Sequence, residues 1–145
     1  MAEDPDVRDV AAALRVSMGL LLRRLRQVRV AGGLSVPETS ALGRLDRYGP
    51  ASSAELARSE QISPQSMGAT LSALEARELI ARGPDPDDGR RVVLSVTEAG
   101  RQLLRTKRDA QTDQLARALA AGFTQQELEQ LRAAAPLLER LAQEI

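Results

Sequence analysis

Cysteine and histidine are absent from this 145-residue chain, tryptophan is missing too, and one tyrosine and one phenylalanine are its only aromatic side chains. Without cysteine there is no disulfide and no thiol chemistry. Without histidine there is no Cys/His zinc site and no imidazole to act as general acid or base. Only a metal site built from carboxylates survives that exclusion, and no metal or other cofactor is expected. No apolar run approaches the roughly 20 residues that cross a bilayer, and the opening MAEDPDV is acidic where a secretory signal is basic. No membrane association and a cytoplasmic location follow as expectations. Charge of one sign is lacking as well: 20 Lys and Arg balance 20 Asp and Glu. Bulk charge therefore gives no argument for a nucleic-acid partner, and any such argument must rest on where the charges sit. Nearly all of the positive charge is arginine, whose planar fork suits phosphate and guanine but whose abundance is equally a habit of genome composition.

What is present is enough apolar residue, 43%, for one core and one domain. The stretch from Ser63 to Gly100 organises the rest. Ser63 followed by Pro64 starts a helix, because the serine oxygen accepts a first-turn N–H and proline loses nothing at the first helical position. Met67, Leu71 and Leu74 share one face of it, while Gln65, Ser66, Gly68 and Ala69 project elsewhere, short or amide-bearing and uncharged. That face suits close approach to a duplex. After Leu79 and Ile80, the run Asp85-Pro86-Asp87-Asp88-Gly89-Arg90-Arg91 forces a turn with two arginines at its far end. Val92, Leu94 and Val96 then alternate with Val93, Ser95 and Thr97, the period of a half-buried strand. The hairpin is a candidate wing.

Before this stretch, Asp4-Pro5 offers a cap for a long amphipathic helix carrying Val7, Val10, Leu14, Met18, Leu21, Leu25 and Val28, with Gly32-Gly33 as its end. Ser35 to Glu38 and Ser52 to Glu55 are capping boxes opening two further helices, with Ala41, Leu42 and Leu45 buried in one and Leu56 and Ala57 in the other. The second of these and the Ser63 helix make a helix-turn-helix pattern. Beyond the hairpin, Thr97 caps a helix from Glu98 to about Ala120. Its apolar residues are Leu103 and Leu104 near the start and Leu115 and Leu119 near the end. The residues between, Arg105 to Gln114, are polar nearly all round and read as a solvent-crossing bridge. Thr124 to Glu127 caps a last helix with Leu128, Leu131, Ala135, Leu138, Leu141 and Ile145 on one stripe, and Pro136 inside it should produce a kink. The first and last helices are each too apolar on one side to be left in water. They could cover one another within a chain or do so across two chains; the second is favoured, with Val7, Val10, Leu14, Leu128, Leu131, Leu138 and Leu141 as candidates for a homodimer interface.

This order of elements resembles the MarR family of bacterial transcriptional regulators over nearly the whole chain. The specific match is Asp85 to Arg91 followed by Leu94-Ser-Val-Thr-Glu-Ala-Gly100, similar to the family's wing and to the Thr-x-x-Gly that opens its long helix. The resemblance implies a mainly α fold with a small β-hairpin. It divides the chain into a winged helix-turn-helix lobe at about residues 35–100 and a helical dimerisation lobe made from about 5–31 and 101–145. It implies a homodimer on a pseudo-palindromic double-stranded operator, repression, and control by a small aromatic or amphipathic effector bound between the lobes. By position, Arg90 would enter the minor groove while Asp88 holds the wing in shape, and Arg91 would meet phosphate. Ser63, Pro64, Gln65, Ser66, Gly68 and Ala69 would form the major-groove end of the recognition helix.

Two positions depart from the family's pattern. Ala69 stands where a long polar residue is common, which leaves more specificity to the wing and to DNA shape. Glu78 stands where glycine is common, at the turn after the recognition helix. Gly68 costs about 1 kcal/mol inside a helix relative to alanine, and either close backbone approach to a partner or drift accounts for it. The competing class is a winged helix that reads protein instead of DNA. An enzyme is the weakest reading, since Glu75, Glu78, Asp87 and Asp88 accompany no nucleophile, metal cluster or phosphate loop.

Overall fold

The computed structural model describes residues 5–145, so Asp4 and its expected capping role lie outside the described residues. Six helices and one hairpin follow in order: α1 Val7–Arg26, α2 Val36–Tyr48, α3 Ser53–Glu60, α4 Pro64–Ala76, β1 Ile80–Pro84, β2 Val92–Val96, α5 Glu98–Gly122 and α6 Gln125–Gln143. Two compact units result, one extending through Ala110 and one comprising Gln111–Ile145, with α5 contributing to both.

Local chemistry accounts for most of the boundaries. Asp6 caps α1 by accepting the Arg8 N–H at 2.9 Å. The helix then stops at Arg26, short of the expected Gly32-Gly33, because Gln27 and Val28 turn their N–H groups to Arg24 and Leu25 in a tightened last turn. Ser35, Ser52 and Thr124 form reciprocal capping boxes with Glu38, Glu55 and Glu127. Gly49 ends α2 at φ +86°, and Gln61 ends α3 in the left-handed region at φ 56°. α6 remains helical through Pro136.

The first unit holds a core of Ala41, Leu42 and Leu45 from α2, Leu56 and Ala57 from α3, and Met67, Leu71 and Leu74 from α4. Leu79, Ile80, Leu94 and Val96 join it from the hairpin and Leu104 from α5. These are the residues that the periodicity places inside. β1 and β2 pair antiparallel, with Ile80 opposite Val96 and Pro84 opposite Val92. Ala51 exchanges both backbone hydrogen bonds with Leu94, at 3.1 and 2.8 Å, so a one-residue third strand covers the other edge of β2.

Two sequence expectations are corrected here. In β2 the simple alternation fails at the start: Val92 is exposed, and Val93 and Leu94 are both buried, Val93 apart from the main cluster. β2 is flanked by β1 on one edge and Ala51 on the other, so it is an interior strand at this point and not a half-buried edge. The polar middle of α5 is not a fully solvated bridge either. Lys107 is 6% exposed, and its Nζ lies 3.4 Å from the Thr39 hydroxyl of α2.

Apolar side chains remain uncovered on two helices. In α1, Val7 and Val10 are exposed and Leu14 half-buried, with no fully buried residue along the helix. In α6, Leu131 and Leu141 are exposed, Leu128 and Leu138 are half-buried, and again no residue is fully buried. No helix among the described residues is long and apolar enough to cross a membrane.

Candidate nucleic-acid interface

α3 and α4 meet through a tight connection in which Ile62 donates its N–H to the Ala57 carbonyl at 3.1 Å. Ser63 then caps α4 by accepting the Ser66 N–H at 3.1 Å, and the two hydroxyls hydrogen bond at 2.9 Å. Pro64 occupies the first turn. Met67, Leu71 and Leu74 pin the inner face of the helix, which leaves Ser63, Pro64, Gln65, Ser66 and Ala69 exposed together at its leading end. Gly68 is half-buried, and a Cβ added there would have nothing within 4 Å. Packing within the chain therefore gives no reason for glycine at this position.

The hairpin tip is ordered by its own acidic side chains. Asp85 accepts the Asp87 N–H at 2.9 Å, and Asp88 accepts the Arg90 N–H at 3.1 Å through Oδ1. The Asp88 carbonyl accepts the Arg91 N–H at 3.0 Å, and the Asp85 N–H donates to the Arg91 carbonyl at 2.9 Å. Asp88 and Arg90 are both exposed, and among the described residues the Arg90 guanidinium has no hydrogen bond or ion pair. Arg90 is thus an available cation on a braced loop. Arg91 is placed differently: it donates to Glu55 of α3 and lies 3.7 Å from the Asp85 carboxylate. The Ser52 backbone N–H first and Arg91 second hold the Glu55 carboxyl below the usual carboxylate range, and Glu55 in turn raises Arg91. Nothing in the sequence pairs Arg91, expected to meet phosphate, with Glu55, which lies 36 residues away and reads there only as a capping residue.

The turn between α4 and β1 shows what the Thr-x-x-Gly pattern does. Glu78 adopts φ 57°, the left-handed conformation that glycine accepts most easily. The Thr97 hydroxyl donates to the Glu78 carbonyl at 2.7 Å and accepts the Gly100 N–H at 3.1 Å. Thr97 also donates its own N–H to the Leu79 carbonyl at 3.0 Å. At Gly100 an added Cβ would stand 2.3 Å from the Leu79 carbonyl oxygen, so no larger residue fits where α5 crosses this turn. Recognition helix, hairpin and α5 are locked at one point.

A capped helix with an uncharged leading face, followed by a braced hairpin with a free arginine, is the arrangement of a winged helix-turn-helix. Residues 34–92 match the MarR family model. An HTH-type transcriptional regulator of Mycobacterium bovis is 34% identical over 141 residues, 97% of each chain. The chain belongs to the MarR family. A crystal structure of a transcriptional regulator from Pseudomonas aeruginosa PA01 is similar at 34% identity and a TM-score of 0.81, covering 96% of this chain and 98% of that one. An HTH-type transcriptional repressor of Mycobacterium tuberculosis is 35% identical over 94 residues, 65% of this chain and 63% of that protein. This MarR protein is a DNA-binding transcriptional regulator, not an enzyme.

Proposed function

We propose that this MarR protein represses transcription as a cytoplasmic homodimer on a pseudo-palindromic operator, and that a small aromatic or amphipathic effector relieves the repression. The observation that carries the reading is the pairing of two exposed elements: the Ser63-capped end of α4 and the Arg90 tip of a hairpin braced by Asp85 and Asp88. The α4 end presents Gln65, Ser66 and Ala69 to the major groove, where an amide can pair with adenine and a methyl can meet thymine. Gly68 lets the backbone come close. Arg90 reaches the minor groove, where narrow A·T tracts concentrate negative potential. Zero net charge is no obstacle, since the field that matters is local.

The division of labour follows the same line. Residues of about 35–100 read DNA, and about 5–31 with 101–145 make the dimer through the uncovered stripes of α1 and α6. Val7, Val10, Leu14, Leu128, Leu131, Leu138 and Leu141 are the side chains that dimerisation removes from water. Two-fold symmetry then sets half-sites about 34 to 36 Å apart. An effector acts only if it favours the form whose recognition helices miss that spacing. Repression is supported by the name of the Mycobacterium tuberculosis relative.

The test is an anisotropy titration against genomic fragments, including the DNA upstream of its own gene, at several salt concentrations, with the oligomeric state measured in parallel. Dimeric binding that prefers one fragment and weakens as salt rises supports the proposal. A folded dimer with no preference at any salt overturns it.

A further inference from the structure

Two segments of chain lead from the winged helix-turn-helix to the helices with uncovered stripes: the linker of residues 27–35, which joins α1 to α2, and the start of α5. Both are fastened to the trailing end of α4, at adjacent residues. On the α5 side the Thr97 hydroxyl donates to the Glu78 carbonyl. On the α1 side Arg77, the C-cap of α4, donates through Nη1 to the Gly33 carbonyl at 3.3 Å and through Nη2 to the Gly32 carbonyl. Arg77 stands at the opposite end of α4 from Ser63 and Gln65, so it is no part of the end that faces DNA.

The linker is shaped to receive that side chain. The Gly33 N–H closes a turn onto the Val30 carbonyl at 2.9 Å, and Gly32 takes the left-handed conformation at φ 65°. A Cβ at Gly33 would lie 2.7 Å from the Val30 carbonyl oxygen, so the turn needs glycine there. Two successive carbonyls then meet one guanidinium. A planar fork with fixed donors suits two adjacent acceptors, where an ammonium offers one point of charge. Glu38 lies 3.8 Å from the same guanidinium, but that pair is long and partly exposed and contributes little. The carbonyls carry the tie.

We propose that Arg77 is a positioning residue: by fastening the α1 linker to the trailing end of α4, it sets the separation of the two recognition helices in the dimer. The inference rests on the dimer and operator reading above. α4 is a rod of 13 residues, about 20 Å long, so a tilt at its fastened end is carried to its reading end. Half-sites at a fixed spacing tolerate little such drift.

Pulsed electron spin resonance on the full chain measures the separation without DNA. A chain with no cysteine takes a single spin label at Ser72→Cys, exposed on α4 and outside the residues assigned to DNA. The expected result is one dominant distance between the labels of the dimer, broadened or shifted when Arg77→Met is added. Operator affinity is the second readout. On the natural spacing Arg77→Met should lose about tenfold, the scale of one hydrogen bond from a charged donor. Operators with half-sites moved apart by one or two base pairs should lose less, and an isolated half-site should be bound as before. An unchanged distance distribution, an unchanged spacing preference, or an equal loss on half-site and full operator would each overturn the proposal. Arg77→Lys, which keeps the charge without the fork, should move both readouts in the same direction and stands in if Arg77→Met fails to fold. A lysine variant identical to the unmodified chain would also overturn it. Absence of any distance between labels in the unmodified chain would refute the dimer, and this inference with it. Failure of the function proposed above is thus read from the unmodified chain, and failure of the Arg77 role from the variants.

Discussion

Glu55 of α3 and Arg91 of the wing, 36 residues apart, form an ion pair that fastens the hairpin to the helix-turn-helix. Glu55 also closes the capping box of its own helix, accepting the Ser52 N–H at 3.0 Å. One carboxylate thus fixes both the start of α3 and the angle of the wing. Arg90, the next residue, is exposed and has no such partner among the described residues.

The pair suits Arg91 to positioning the wing, and a double-mutant cycle separates that role from a phosphate contact. If Arg91 only positions the wing, Arg91→Ala and Glu55→Ala should each weaken operator binding, and the double variant should be no weaker than the poorer single one. If Arg91 instead grips phosphate, Glu55→Ala should tighten binding by freeing it. Arg91→Ala would then lower the salt slope by about one.

The same carboxyl gives the wing attachment a pH dependence with a defined sign. Its folded-state value is depressed, so its contribution is complete above the unfolded value, about 4.3 for glutamate, and is lost as pH falls through the folded value. Wing amide shifts in a pH titration by NMR should show detachment in the unmodified chain only once the pH has fallen below the ordinary glutamate value. Glu55→Gln, which cannot ionise, should show no such step. A step of equal size in the variant would assign the transition to another group.

Glu78 and Gly100 sit on either side of the Thr97 lock and should respond in opposite directions. Glu78→Gly relaxes a left-handed residue and should raise stability by about 0.5 to 1 kcal/mol, after the added flexibility of the unfolded chain is deducted. Gly100→Ala drives a methyl into the Leu79 carbonyl and should cost about 3 kcal/mol or prevent folding. Urea midpoints with unchanged slopes would report both. A neutral Gly100→Ala would mean that α5 does not cross this turn closely.

What was legible in the sequence was the local chemistry. Ser35, Ser52, Ser63 and Thr124 each cap the helix that immediately follows, and the Leu and Met stripes that those helices carry do form the core. The glycine expected at Glu78 was legible too: the backbone there takes the conformation a glycine would. Pairings between distant segments were not. Nothing near Lys107 in sequence announces Thr39, 68 residues away, and nothing near Val93 announces that Ala51 will cover the far edge of its strand. The roles proposed for Gln65 and Val7 depend on a partner molecule, and in a single chain only exposure marks these residues.

Arg90 and Gln65 should fail differently when removed. Arg90→Ala should cost about 1 to 3 kcal/mol in operator binding with the dimer intact. Gln65→Ala should relax sequence preference more than it lowers affinity for random duplex. Anisotropy against operator and scrambled DNA reads both quantities. Unchanged operator affinity in Arg90→Ala would remove the wing from the interface, and equal losses on both duplexes in Gln65→Ala would remove that residue from base readout.

Gly68→Ala asks whether DNA itself explains the glycine. Open space surrounds the position in the free chain, and alanine is the better helix former by about 1 kcal/mol, so the variant should be more stable. If α4 is pressed against a duplex at this point, the added methyl has no room in the complex and operator affinity should fall in that same, stabilised protein. The two readouts must therefore part company. Stability that rises with operator affinity unchanged would mean that the glycine serves no contact and that α4 keeps its distance there. Lost affinity beside higher stability would place the backbone of residue 68 against the DNA.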